Sequence, residues 1–302
     1  MNKTKKLMRF SIFILFFLII GYVGLYLFAW FSPKLVIDKA NKLYFYDSEK
    51  KLFPGSVDKD WVSLNNISKH LINATISIED KNFFKHHGFD YPRIIKSLYV
   101  NFINGEKLQG ASTITQQYAK NLFLDFGKTW KRKADEAWLT LRLETHYSKE
   151  EILEGYLNTI NYGGVFGIEN ASHYYFNKQA KNLTLAEATI LAGIPKSPVY
   201  YSPIANEQNA KDRQQLILNS MVKNKYITED DLNNALKEEL VYLKFEDQNK
   251  LTTLMYYQDA VIDELKNIDA IPESFLKTGG LKIYTNLDIK AQTIMDDSIK
   301  KI

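Results

Sequence analysis

One uncharged run near the N-terminus constrains this chain more than any other feature. Residues 10–33, FSIFILFFLIIGYVGLYLFAWFSP, contain no charged side chain. About 20 apolar residues are enough for a helix to cross the hydrocarbon core of a bilayer. Residues 1–9 carry lysines and an arginine but no acid, which by the positive-inside rule keeps them in the cytoplasm. The pattern predicts a transmembrane signal anchor over 10–33, with the rest of the chain outside the cell membrane.

Two alternatives compete with a membrane anchor for this run. A cleaved signal peptide has a shorter apolar segment and a small-residue cleavage site, whereas AWFSP is a poor cleavage sequence. A buried core helix is seldom apolar on all sides at an N-terminus. The anchor is therefore the preferred interpretation.

Charge and composition limit the classes of partner and cofactor. The net charge of +4 equals the charge of residues 1–9, so residues 10–302 sum to zero. A neutral outer domain disfavours a nucleic-acid partner. The chain has no cysteine, which excludes disulfides and thiolate metal sites, and its 5 histidines are scattered.

Periodicity and capping signals predict a mainly α fold. Ser148 with Glu151 and Thr184 with Glu187 have the spacing of capping boxes, and Thr228 is a candidate N-cap. Residues 34–65 predict short strands or irregular structure, and the helical pattern begins at Ile67, so one mainly α domain is assigned to 34–245. The glycine turn and short strand of GGLKIYTNLD then predict a short α/β linker over 246–302.

The stretch EDKNFFKHHG places Glu79 and Asp80 at the end of an apolar helix. Acids are unfavourable at a helix C-terminus because of the macrodipole. Phe83 and Phe84 supply an apolar wall, and Gly88 permits a sharp turn. A carboxylate tolerated in this setting is a candidate general base.

Two further stretches carry polar chemistry. QGASTITQQYAKN is dense in hydroxyl and amide side chains, a poor helix interior unless a ligand is present. Ser112 or Thr113 could cap a helix whose N-terminal amides face an anion.

GKTWKRKADEAW has four cations in residues 128–133, and Arg132 and Glu136 share one helix face. This stretch is either a solvated amphipathic face with one salt bridge or a phosphate clamp beside a buried carboxylate.

Together the three stretches are suited to moving a sugar off a phosphate. A base takes a proton from an attacking sugar hydroxyl, and cations stabilise charge on the departing phosphate. A hydrolase needs instead an acid for its alkoxide leaving group.

The motifs resemble, in order, those of the peptidoglycan glycosyltransferase family, found as monofunctional transglycosylases and as the first domain of class A penicillin-binding proteins. EDKNFFKHHG, GASTITQQ, RKADE and KEEILEGYLN match the first four motifs, and GIENASHYYFNK with LTLAEATILAGIPKSPVYYSP fits the fifth region. The resemblance covers roughly residues 45–245. It implies a lysozyme-like α-helical head, a smaller membrane-adjacent jaw, lipid II as substrate and a β-1,4 glycan strand as product.

The resemblance also implies residue roles. Glu79 is the base that activates the acceptor 4-hydroxyl, and Glu136 assists at the donor diphosphate, directly or through a divalent ion such as Mg²⁺ or Mn²⁺, with no organic cofactor. Asp80 is expected to orient its neighbours. The predicted substrate-binding residues are Asp80, Phe83, His86, Ser112, Thr113, Gln116, Gln117, Lys120, Arg132 and Lys133.

The ends of the outer domain carry two more expectations. An exposed apolar rim is predicted around residues 98–108, LYVNFINGEKL, because lipid II stays in the bilayer. GGLKIYTNLDIKAQ resembles the linker to a penicillin-binding transpeptidase domain, so the chain is read as a truncated class A protein or a fragment. Expected partners are lipid II, the growing strand, the bilayer, and transpeptidases and other cell-wall synthesis proteins.

Two rival functions stay open at this point. A lysozyme-like lytic enzyme also needs one key glutamate in a helical cleft, although it does not need the cation cluster. A non-enzymatic, membrane-anchored cell-wall scaffold needs neither.

Overall fold

The computed structural model describes residues 3–37, 44–53, 61–105, 110–123, 129–163, 165–243, 257–258, 260–265, 267–268 and 282–299. Lys128 and residues 106–108 of the predicted rim lie outside these ranges. The helices of the first half are α1 Lys3–Phe31, α2 Lys69–Glu79, α3 Tyr91–Asn104, α4 Ile114–Phe123, α5 Trp130–His146 and α6 Lys149–Thr159. Those of the second half are α7 Ile168–Phe176, α8 Leu185–Gly193, α9 Pro198–Tyr201, α10 Glu207–Lys223, α11 Glu229–Lys237 and α12 Ile289–Ile299. The strands are β1 Tyr44–Tyr46 and β2 Lys282–Tyr284, and residues 257–258 and 260–265 are also helical.

The predicted helix starts are found where the capping signals placed them. The Ser148 side chain accepts from the backbone N–H of Glu151, and the Glu151 carboxylate accepts from that of Ser148, so both halves of the box form. Thr184 and Glu187 do the same at α8, and Thr228 caps α11. Each box satisfies two backbone donors that a helix otherwise leaves without partners.

Helix α8 is the centre of the core. Its residues from Ala186 to Gly193 are all buried, as expected for a helix made mostly of apolar side chains. It packs against α2, α10, α7 and α11. Helix α2 turns Leu71 and Ala74, both with no exposed area, into this core, and full burial of a leucine side chain stabilises the fold by about 1.5–3 kcal/mol. The packing fixes the end of α2, where Glu79 lies.

Helices α4, α5 and α6 form the other wall of the domain. Helix α4 packs against both α5 and α6. Gly155 permits the close approach of α6, because a Cβ there would lie 2.0 Å from the hydroxyl oxygen of Tyr118 on α4. The polar α4 predicted from the sequence is therefore enclosed between α5 and α6.

Helix α1 covers the predicted anchor. The helix is found, and it begins at Lys3, so it includes most of the predicted cytoplasmic tail. Its C-terminal end docks on α5, where Arg142 Nη2 donates to the carbonyl of Pro33 at 2.6 Å and the Phe28 and Trp138 rings stack. In the part of the chain that the structure describes, no helix has both the length and the apolar character that crossing a membrane demands. The predicted transmembrane span is thus not confirmed.

A small sheet joins two segments that are far apart in the chain. β1 and β2 pair in parallel, with Tyr44 opposite Lys282 and Tyr46 opposite Tyr284. The sheet has an apolar cluster of its own, and the buried centre of this cluster is formed by Phe45, Phe53 and Ile283. The strand predicted in GGLKIYTNLD is confirmed, and its partner β1 lies within residues 34–65, where short strands or irregular structure are predicted.

Candidate functional site

Glu79 ends α2, as predicted, with a side chain only 12% exposed. Its Oε2 accepts a hydrogen bond from Gln117 Nε2 at 2.9 Å. Its Oε1 lies 3.6 Å from Nη2 of Arg213. A second arginine, Arg93, donates to the backbone carbonyl of Glu79. These cations offset the unfavourable position of an acid at a helix C-terminus.

Asp80 links the end of α2 to the start of α4. It has no exposed area. One carboxylate oxygen accepts from the backbone N–H of Ile114 at 3.0 Å, and His86 Nε2 lies 3.0 Å from both oxygens. The anion expected at the N-terminus of this helix is therefore Asp80 itself, and its contacts are those of an orienting residue.

Thr113, rather than Ser112, caps α4. Its hydroxyl oxygen accepts from the backbone N–H of Gln116 at 3.2 Å and donates to the carbonyl of Gly88 at 2.7 Å. Ser112 is exposed. The cap orients the next residues of α4, so that Gln116 and Gln117 project toward two different acids.

Gln117 is held in one orientation by Tyr156. The Tyr156 hydroxyl donates to Gln117 Oε1 at 3.2 Å. Burial and the nearby charge of Glu79 raise the pKa of Tyr156 well above its ordinary value, so the hydroxyl keeps its proton. Because Oε1 accepts from Tyr156, the amide nitrogen of Gln117 must face Glu79.

Glu136 is the buried carboxylate predicted beside the cations. Its side chain is 4% exposed. Oε1 accepts from Gln116 Nε2 at 3.1 Å and from the ammonium group of Lys133. Oε2 lies 4.0 Å from Nη1 of Arg132. The predicted pairing of Arg132 and Glu136 on one face of α5 is confirmed, with Lys133 as the closer partner.

The two acids thus share one support. Gln117 binds Glu79 and Gln116 binds Glu136, and the two glutamines are consecutive on α4. Lys120, one turn further along, is half-buried. The structure therefore links the predicted base and the predicted cation cluster through consecutive residues of one helix.

Several of the predicted substrate-binding residues are buried. Phe83 has no exposed area and lies under the ammonium group of Lys149, 4.5 Å from the ring centroid. Asp80 and Thr113 are also fully buried, and Gln116 is 5% exposed. Their polar groups are already hydrogen-bonded inside the protein. The predicted residues that keep accessible area are Glu79, His86, Ser112, Gln117, Lys120, Arg132 and Lys133.

A surface cavity of about 430 Å³ lies beside this site. His86 lines it, together with Lys85, Tyr91 and Tyr22 of α1. The Tyr22 and Tyr91 rings meet edge to face, 6.2 Å apart. Since neither glutamate lines the cavity, we place the candidate chemistry at α4 and not there.

Sequence reasoning missed Arg213, Tyr156 and Arg93. Arg213 lies in α10, whose sequence AKDRQQLILNSM is that of an ordinary amphipathic helix. Tyr156 lies in the fourth motif and resembles a core aromatic residue. No local pattern indicates that Arg213 or Tyr156 lies near Glu79, because the contacts of these two residues join segments far apart in the chain.

Comparison with known proteins gives a consistent set of similarities. The family model described as Transglycosylase matches residues 41–222. Penicillin-binding protein 2D of Bacillus subtilis (strain 168) is 44% identical over 270 residues, which is 89% of this chain and 39% of that protein. Penicillin-binding protein 1F of the same strain is 37% identical over 281 residues, 92% of this chain and 39% of that protein. This chain therefore spans about two fifths of the length of these relatives.

Among solved structures, the crystal structure of penicillin-binding protein 1A from Haemophilus influenzae is similar to this chain. The identity is 22%, and the match covers 75% of this chain and 24% of that one. The TM-score is 0.40.

Proposed function

Because this chain belongs to the transglycosylase family, we propose that it polymerises lipid II into the β-1,4 glycan strands of peptidoglycan. The observation that carries the proposal is the arrangement on α4. Gln117 holds a half-enclosed carboxylate, Glu79, and the adjacent Gln116 holds Glu136 among cations. Base and cation cluster are the two parts that glycosyl transfer from a diphosphate requires.

In the proposed step, Glu79 acts as the general base. It takes the proton of the acceptor sugar hydroxyl as that oxygen forms a bond to the anomeric carbon of the donor. The bond from that carbon to the diphosphate oxygen breaks, and the lipid diphosphate leaves with the electron pair. Oε1 is enclosed, so Oε2, already oriented by Gln117, is the oxygen that receives the proton.

The cations receive the charge that develops on the leaving diphosphate. Lys133 is 48% exposed and Arg132 is 21% exposed, so both can reach a ligand outside the buried Glu136. Glu136 keeps Arg132 and Lys133 close together, because its negative charge offsets the repulsion between these two cations. Lys120, which lies on α4, is a third cation beside Arg132 and Lys133 of α5.

A divalent ion such as Mg²⁺ or Mn²⁺ is a separate part of the proposal. Within the described residues, no group of three or more His, Cys, Asp or Glu side chains could hold a metal. Glu136 Oε1 is occupied by Gln116 and Lys133, which leaves Oε2 for an ion. The diphosphate would supply most of the ligands, and no step above depends on the ion. Turnover measured with EDTA and with added Mg²⁺ tests this part.

The proposed location is the outer face of the cell membrane. The uncharged run of residues 10–33 supports an anchor, and α3 supports contact with lipid. On α3, Ile95 is 67%, Leu98 is 65% and Phe102 is 88% exposed. An exposed apolar helix face of this kind suits the interface between lipid headgroups and acyl chains.

Vesicle flotation tests the α3 contact. Phe102→Asp should reduce binding to lipid vesicles and leave the melting temperature unchanged. Val199→Asp is the matched control, because Val199 is an apolar side chain of similar exposure, 85%, outside α3. Equal loss of binding in both variants would contradict a specific role for α3.

The experiment that tests the function is polymerisation of purified lipid II by the wild-type protein and by Glu79→Gln. The wild type should give long glycan strands, and the variant should lose about 10²–10⁴-fold in turnover, the usual contribution of a general base. Glu207→Gln, which removes an exposed carboxylate, should retain wild-type turnover. Cleavage of purified sacculi without strand synthesis would support a lytic enzyme, and full activity of Glu79→Gln would exclude Glu79 as the base.

A further inference from the structure

We propose that Arg213 is a positioning residue for the Glu79 carboxylate, an inference that rests on the function proposed above. Arg213 Nη2 lies 3.6 Å from Glu79 Oε1, and each side chain is 12% exposed. Glu79 Oε1 is enclosed and, in the described part of the chain, accepts no hydrogen bond. The nearby cation is thus the main polar group facing this oxygen.

Helix α10 and its neighbours hold Arg213 in place. A Cβ at Gly193 of α8 would lie 2.9 Å from Cγ of Arg213, so the arginine stem lies directly against the backbone of the central helix. On another side, the guanidinium lies 5.6 Å from the ring centroid of Tyr201, within the range of a cation–π contact. An arginine confined in this way has little freedom to leave Glu79.

Arg213 and Gln117 act on different oxygens of the same carboxylate. Gln117, on α4, donates a hydrogen bond to Oε2. Arg213, on α10, lies beside Oε1. With both neighbours in place, rotation of the carboxylate would exchange a hydrogen bond and an ion pair for poorer contacts. The result is one fixed direction for the oxygen that accepts the proton, and misplacement of a catalytic group by about 1 Å can cost 10²-fold in rate.

The two sides of the site come from separate parts of the core. Gln117 lies on α4, packed against α5 and α6, whereas Arg213 lies on α10, packed against α2 and α8. The Glu79 carboxylate is held between these two packing groups. Arg213 therefore joins the second group to the chemistry, and the family motifs in the sequence do not include it.

Kinetics of three variants test the inference. Arg213→Gln should lower kcat by about 10–100-fold and leave KM for lipid II nearly unchanged, because the residue acts through the base and not on the substrate. Arg213→Lys, which keeps a cation, should recover most of the lost kcat. Lys211→Gln removes an exposed cation from the same helix and should have no effect. A rise in KM with unchanged kcat, or a lysine variant as poor as the glutamine variant, would overturn the inference.

A crystal structure of Arg213→Gln supplies a readout that does not need activity. The Glu79 carboxylate should turn away from Gln117, beyond hydrogen-bond distance. Retention of the wild-type carboxylate position would overturn the inference even if the wild type proved inactive on lipid II. An inactive wild type with a displaced carboxylate in the variant would instead refute the proposed function alone.

Discussion

Gln117 Nε2 donates to Glu79 Oε2 at 2.9 Å, and this bond has its direction only because the other end of the same amide accepts from Tyr156. Tyr156 is 1% exposed, and its hydroxyl cannot exchange this bond for one to water. The order Tyr156, Gln117, Glu79 is therefore a chain of donors that ends on the proposed base. Such networks fix side-chain direction more strongly than any single bond does.

The first prediction concerns Tyr156→Phe. Loss of the hydroxyl leaves Gln117 Oε1 without its donor, so the amide is free to flip and to present its oxygen to the Glu79 carboxylate. We expect a loss of about 1–2 kcal/mol in the free energy of unfolding and a fall in turnover of about tenfold or more, since a misdirected catalytic group is costly. Urea unfolding and lipid II polymerisation measure the two effects.

Tyr175→Phe is the control for this variant. Tyr175 is also fully buried, and its hydroxyl donates to the carbonyl of Tyr162 at 2.9 Å. Its loss should lower stability by a similar amount without a matching fall in turnover. If the two variants lost turnover equally, the effect of Tyr156 would be one of general stability.

The second prediction is an asymmetry between Lys133 and Glu136. Glu136 is 4% exposed, whereas Lys133 is 48% exposed. Lys133→Gln leaves a buried carboxylate with a weaker set of partners, but Glu136→Gln leaves cations that can reach water. We expect Lys133→Gln to cost about 1–3 kcal/mol, below the 3–5 kcal/mol of a fully buried pair because Lys133 is half in solvent. Glu136→Gln should cost less.

Thermal unfolding of both variants measures this asymmetry. Lys131→Gln serves as the control, because Lys131 is an exposed cation on the same helix. Both Lys133→Gln and Glu136→Gln should raise KM for lipid II, since each disturbs the cations proposed to hold the diphosphate. Equal stability of the two variants would show that the carboxylate is better solvated than its burial indicates.

Local features of the fold and site could be read from the sequence, and distant ones could not. The capping boxes at Ser148 and Thr184 and the Arg132–Glu136 pair all involve residues three or four positions apart. Their geometry follows from the pitch of a helix. Such features are therefore fixed before the chain folds back on itself.

The contacts of Arg213 and the burial of Phe83 depend on how helices pack. A phenylalanine beside two acids suits a groove wall and a core equally well, and only the position of α6 places Lys149 over the Phe83 ring. Arg213 reaches Glu79 because Gly193 lets α10 lie close to α8. The pairing of β1 with β2 is similar, since neither short strand carries a signal that names its partner.

The last prediction concerns Gly155→Ala. A Cβ at this position would lie 2.0 Å from the Tyr118 hydroxyl oxygen and 2.3 Å from the ring carbon that carries it. Tyr118 is fully buried and has no space to retreat, so α6 must move away from α4. Overpacking of a core typically costs about 1–3 kcal/mol. Because α6 carries Tyr156, turnover should fall together with stability, whereas Gly110→Ala, where a Cβ meets nothing within 4 Å, should change neither. Urea unfolding of the two alanine variants checks the prediction, and a Gly155→Ala protein as stable as the wild type would mean that Tyr118 can rotate out of the contact.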